Sequence, residues 1–258
     1  MAFFPSMNHR GVWITTLMAA SILMITMGTR QSMGLYMGPI NTDTGLGIVT
    51  ISLAMAVGQF VWGAIQPIAG AFADKYGPRP VLLIGIITLV IGTALTPFVS
   101  SSLGLILTMG VLTAMGAGTC SFSVLLSAAA QRMPAESRGV SSGIINAGGS
   151  FGQFVFAPII QKLIQGFGWM GTMWSMAVVT LLAIPLLNKL TSDTHAPVKT
   201  PDPEGGLKKA VSDAIKNPSY LLLHLGFFTC GFHIAFLVTH LPTEVGLCGL
   251  SPTVASWS

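Results

Sequence analysis

The chain has 258 residues, of which 52% are hydrophobic and only 8% charged, with a formal net charge of +4. An average soluble domain carries about 25% charged residues, so twelve basic and eight acidic side chains cannot form a hydrated shell around cores of this size. A water-soluble globule is excluded. A nucleic-acid partner is also excluded, because the basic residues fall between apolar runs and form no patch with interleaved aromatics.

The first apolar run covers about residues 11–38, follows Arg10, and contains only Arg30 as a formal charge. It is too long for the apolar core of a cleavable signal peptide and reads as a membrane-spanning helix. Six further runs follow, at about 46–69, 81–99, 104–130, 140–164, 170–188 and 220–241. Crossing a hydrocarbon core about 30 Å thick takes about 20 apolar residues. Inside lipid each segment must satisfy its own backbone polar groups, so helices are expected. The runs do not alternate in polarity, which excludes a β-barrel. The expected fold class is an all-α integral membrane protein.

Ten of the twelve basic residues are Arg10, Lys75, Arg79, Arg132, Arg138, Lys189, Lys199, Lys208, Lys209 and Lys216. All ten fall on one side if the N-terminus is cytoplasmic, as the positive-inside rule predicts. Residues 189–219 are polar, charged and Pro-bearing, and read as a cytoplasmic linker, with Lys208 to Lys216 as a short surface helix. The expected organisation is a six-helix bundle over 1–188, a linker over 189–219, and a further helix and loop over 220–258. The three cysteines, Cys120, Cys230 and Cys248, have no metal or disulfide spacing. No nucleotide-binding loop, no HExxH pattern and no GxSxG nucleophile elbow are read: the GxSxG spacings at 139–143 and 148–152 lie inside an apolar run, not at a strand-to-helix turn. No cofactor and no enzymatic chemistry are expected.

Between the second and third runs lies GAFADKYGPRP, Gly70 to Pro80. Its Gly70, Asp74, Lys75, Gly77 and Arg79 resemble the signature loop of the major facilitator superfamily: Gly, three residues, Asp, a basic residue, one residue, Gly, one residue, a basic residue. Gly70 allows close helix approach, Gly77 before Pro78 makes a tight turn, and Asp74 can accept from a helix N-terminus or pair with a cation. A second loop, RMPAESRG from Arg132 to Gly139, is similar to the family loop before helix five. Leu112 stands where many members carry an Arg in helix four, a departure from proton coupling by that route. The stretches GLYMGPI, GQFVWGAIQPIAG and RGVSSGIINAGGSFGQFVFAPII look like the oxalate/formate antiporter and monocarboxylate-transporter-like branch.

The resemblance implies a secondary transporter working by alternating access, with two six-helix halves. It further implies a small carboxylate as substrate, exchanged or carried with a coupling proton, and a monomer at full length, while the cytoplasmic N-terminus and the lack of a visible eukaryotic sorting signal point to an inner (plasma) membrane. The signature loop would latch the halves on the cytoplasmic side. One half plus a seventh helix predicts an N-terminal fragment, ending at the entry to an eighth helix. A seven-helix receptor is the alternative, but it predicts an external N-terminus against the charge bias.

Four residues are candidates for substrate binding. Arg30 is either a carboxylate clamp, for which guanidinium has the matching geometry, or an interfacial cation. Gly34 and Gly38 continue its face. Asn146 and Gln153 share a face of the fifth run, as cavity lining or as helix contacts beside Gly148 and Gly152. Gln59 and Gln66 carry the same ambiguity. His233, between His224 and His240, either protonates during transport or bonds a neighbouring helix.

Overall fold

The computed structural model describes residues 9–191 and 212–249. Residues 192–211 of the linker expected over 189–219, with the start of its surface helix, and the segment after 249 lie outside the described residues. Residues 212–216 are helical.

The first run forms α1 (His9–Gln31), tightens into a 3₁₀ turn over Ser32–Tyr36, and resumes as α2 (Met37–Thr44). Gly45 (φ 66°) and Gly47 (φ 86°) then turn the chain into α3 (Ile48–Tyr76). Such angles favour residues without a Cβ. Gly77 (φ 87°) makes the next turn, and Pro78 opens α4 (Pro78–Leu95), where its missing N–H costs nothing. The fourth run is composite: α5 (Ser102–Leu105), a π-helix over Ile106–Thr113, α6 (Ala114–Thr119) and α7 (Phe122–Ala130). Then come α8 (Ala135–Leu181), α9 (Ala183–Thr191) and, beyond the linker, α10 (Pro218–Leu247).

Among the described residues six helical stretches are long and apolar enough to cross a membrane, against seven runs expected. The difference lies in one stretch, Ala135–Thr191, which joins the fifth and sixth runs. Gly168 within it has φ 70° and ψ 172°. The 47 residues of α8 would extend about 70 Å as a single rod, more than twice a hydrocarbon core. They are therefore two rods meeting at Gly168.

Glycine contacts set the packing. A Cβ on Gly148 would lie 2.8 Å from the Ala20 carbonyl oxygen, and one on Gly152 would lie 2.8 Å from Met24 Cα. Across the same seam a Cβ on Gly28 would lie 2.6 Å from the Phe156 ring. The first arm of α8 thus lies directly against the backbone of α1. The composite helix is held between two neighbours: Gly110 faces the Ala54 carbonyl of α3, and Gly116 faces the backbone of Leu89 in α4. Small residues permit this contact where lipid supplies no hydrophobic drive. Apolar side chains gather in two clusters. One, around Leu82, Ile86, Leu125 and Leu187, lies toward the signature motif. The other, around Tyr36, Met37, Ile51, Ile160 and Met173, lies toward the opposite end.

Polar groups between the helices are mostly satisfied within their own turn. Thr16, Thr26, Thr96, Thr108 and Thr180 donate to carbonyls one turn back, as hydroxyls in apolar surroundings must. A few bonds tie helices together. Trp174 Nε1 donates to the Ala94 carbonyl (3.2 Å) and Trp169 Nε1 to Asp43 (3.0 Å). Arg132 Nη1 donates to the carbonyls of Lys189 (2.7 Å) and Leu190 (2.9 Å), at the C-terminal end of α9.

Candidate functional site

Arg30 is 7% exposed, in the last turn of α1. The 3₁₀ turn that follows brings Met33 and Gly34 alongside it. Its Nη1 donates to Gln31 Oε1 at 2.9 Å and its Nη2 to Gln59 Oε1 of α3 at 2.5 Å. The guanidinium carbon lies 4.3 Å from the centre of the Trp62 ring, three residues on from Gln59. A cation over an indole face is attracted by the ring quadrupole. The partners that hold this charge are thus two neutral amide oxygens and one neutral ring. A charge at mid-helix depth in a membrane costs about 2.5–3.5 kcal/mol even on the lower scales, and amide contacts offset only part of that.

The guanidinium borders a cavity of about 40 Å³, room for a few water molecules. Four elements line it. The α1 end and its 3₁₀ extension supply Arg30, Gln31, Met33 and Gly34; α3 supplies Met55, Gly58 and Gln59; the composite helix supplies Met109, Thr113 and Ala114; and α10 supplies Thr239. The π-helix matters to this arrangement. Its wide turn presents Met109 and Thr113 to the cavity while Thr113 Oγ1 donates back five residues to the Thr108 carbonyl (2.9 Å). Such π segments recur at functional sites. Thr239 is 8% exposed, in a helix whose preceding residues are largely exposed. Beside the cavity, Trp62 Nε1 is buried without a hydrogen-bond partner among the described residues.

Arg30 and Gln59 are thus brought together, and Gly34 lines the same cavity. The other candidates lie elsewhere. Asn146 is exposed and Gln153 half-buried on α8, and neither borders the cavity. Gly148 and Gly152 of the same helix make the close contact with α1. His233 is exposed on α10, and its Nδ1 lies 3.0 Å from the Thr229 carbonyl of its own helix. Gln66 is half-buried away from the cavity. Thr239, Trp62 and the three methionines were missed, since an apolar run does not reveal which of its faces meets a neighbour.

The signature motif differs locally from the loop expected. Gly70, Asp74 and Lys75 belong to the last turns of α3, and the turn itself is the single residue Gly77. A Cβ on Gly70 would meet nothing within 4 Å among the described residues. On α3 the residues that meet the composite helix are Ala54, Gly58 and Trp62. Asp74 and Lys75 are exposed, and Lys75 Nζ lies 5.2 Å from the Tyr76 ring. Arg79 Nη2 reaches Asn188 Oδ1 of α9 at 3.4 Å.

Residues 17–258 match the Major Facilitator Superfamily. The chain belongs to that superfamily. It is a multi-pass membrane protein of the major facilitator fold. Among curated relatives it is 24% identical over 240 residues to the oxalate:formate antiporter of Oxalobacter formigenes, covering 88% of this chain and 54% of that protein. It is 26% identical over 194 residues to monocarboxylate transporter 11 of Mus musculus, covering 73% and 43%. The chain therefore spans about half the length of these relatives. A solved D-xylose-proton symporter superposes with a TM-score of 0.65 at 16% identity, over 95% of this chain and 64% of that one. That likeness concerns the fold alone.

Proposed function

We propose that this chain is part of a secondary transporter of small organic anions, in which Arg30 holds the substrate carboxylate. One observation carries the reading: a buried guanidinium whose partners among the described residues are neutral stands at the edge of a cavity lined by four elements. Arg has five N–H donors in a fork that fits a carboxylate, and the described bonds to the two amides use two of them. An arriving carboxylate supplies the missing counter-charge where charge-assisted bonds are about twice as strong as neutral ones. The relatives named for oxalate, formate and monocarboxylates agree with this chemistry.

The signature residues Gly70, Asp74, Lys75, Gly77 and Arg79 form the cytoplasmic gate in this reading. The positive-inside charge bias supports a cytoplasmic N-terminus and a cytoplasmic position for this motif, and the reading takes the membrane to be the plasma membrane. The substrate binds near the membrane midplane, as in transporters built of two repeats.

The test is counterflow uptake of radiolabelled oxalate, formate and lactate into vesicles bearing the natural full-length protein, with Arg30→Ala alongside. Saturable uptake of an anion, lost in the variant, is the expected result. Uptake equal in the two proteins refutes Arg30 as the carboxylate anchor.

A further inference from the structure

The bond from Arg30 to Gln59 poses a question that the anion reading does not answer. A transporter must return its site empty, and an empty site containing a bare buried cation is costly to hold in apolar surroundings. We infer that Gln59 is an internal stand-in for the substrate, its amide oxygen occupying the guanidinium between transport events and yielding to the incoming carboxylate. This rests on the reading of Arg30 given above.

Three observations carry it. The Gln59 oxygen is on Arg30 Nη2 at 2.5 Å, so it sits where a carboxylate oxygen would bind. Gln59 borders the same cavity as Arg30, so a ligand entering it meets the amide and the guanidinium together. The guanidinium is also steadied independently by Trp62, at 4.3 Å on α3, and by Gln31 on α1. Loss of the Gln59 bond therefore leaves the cation in place. An amide suits this role because it is neutral: it satisfies a donor without cancelling the charge that attracts the anion. A carboxylate at position 59 would neutralise the cation, and an apolar side chain would leave it unoccupied.

The geometry makes Gln59 a positioning residue whose substitutions move affinity in opposite directions. Gln59→Glu places a permanent counter-charge on Arg30, so KM for the anion rises by about tenfold or more, one charge-assisted bond's worth of competition. Gln59→Met keeps the length of the side chain and removes its oxygen. KM then falls while the maximal rate also falls, because the empty site is harder to return.

The experiment measures counterflow of radiolabelled formate, oxalate and lactate by the natural full-length protein in vesicles. It compares the parent, Gln59→Glu, Gln59→Met and Arg30→Ala, each first shown to be monodisperse in detergent. Opposite movements of KM in the two Gln59 variants support the stand-in. A parental KM in Gln59→Glu, or a KM raised equally in both, overturns it and leaves Gln59 as a structural neighbour. Absence of Arg30-dependent uptake in the parent overturns the anion reading and the stand-in together. That outcome differs from the preceding ones, in which Arg30-dependent uptake is intact.

Discussion

The seam between α1 and the first arm of α8 offers a controlled test of how this protein is packed. Gly152→Ala adds a methyl group that would lie 2.8 Å from Met24 Cα and 2.9 Å from its carbonyl carbon. Both are backbone atoms, so no side chain can swing aside. Ordinary carbon contacts begin near 3.5 Å, and the helices must part by more than half an ångström. A gap of about 0.5–1 Å forfeits a quarter to a half of each contact's dispersion energy along the seam. Overpacking of this kind costs about 1–3 kcal/mol, reduced by about 1 kcal/mol because Ala is the better helix former. Gly143→Ala, on the same arm, adds the same methyl where nothing lies within 4 Å. It gains the helix propensity without the clash. The net cost is then about 1 kcal/mol, and thermal unfolding in detergent should show Gly152→Ala melting about 2–4 °C below the parent, at about 2–4 °C per kcal/mol. Gly143→Ala should melt at or above the parent. Equal shifts in the two variants would refute backbone contact at this seam.

Other substitutions probe single features. Gly77→Ala forces a Cβ onto a backbone at φ 87° and should cost about 1–3 kcal/mol, read as a lowered melting temperature; an unchanged value would mean the turn is not held in that geometry. Arg132→Ala removes the cation from the last carbonyls of α9 and should cost about 1 kcal/mol, with Arg132→Lys recovering part of it. Trp169→Phe deletes the donor to Asp43 and should cost about 1 kcal/mol by the same measurement. N-ethylmaleimide should label Cys248, exposed beyond the apolar span of α10, but spare Cys120, which is fully buried with its Sγ 3.5 Å from the Leu82 carbonyl, until the protein is denatured; labelling is read by mass spectrometry.

Much of the fold was legible because hydropathy is a one-dimensional signal. Run length placed each helix, and Gly77 before Pro78 placed a turn. What the sequence withheld was direction around each helix. In a soluble protein a polar face marks the outside, whereas these runs are apolar all round. Asn146 and His233 therefore looked as suitable as Arg30, and the structure sets them apart from its cavity. The π-helix was illegible for a related reason. ILTMGVLT reads as ordinary helix, and its wide register is tied to contacts with other helices, Gly110 on Ala54 among them. Arg30 and Gln59, 29 residues apart, are individually conspicuous, yet only folding makes them a pair.

Two connections at the end opposite the signature motif are extremely short. Three residues, 45–47, join α2 to α3, and Gly168 alone joins the two arms of α8. An inserted epitope or protease site there has no slack to occupy, and at Gly168 it would also replace a backbone angle of 70° that other residues rarely adopt. Tags meant to report on that face would therefore disturb the helix hairpins they were placed to observe. Small-probe labelling of single cysteines at the helix ends avoids the problem, because it adds no residues to a turn that has none to spare.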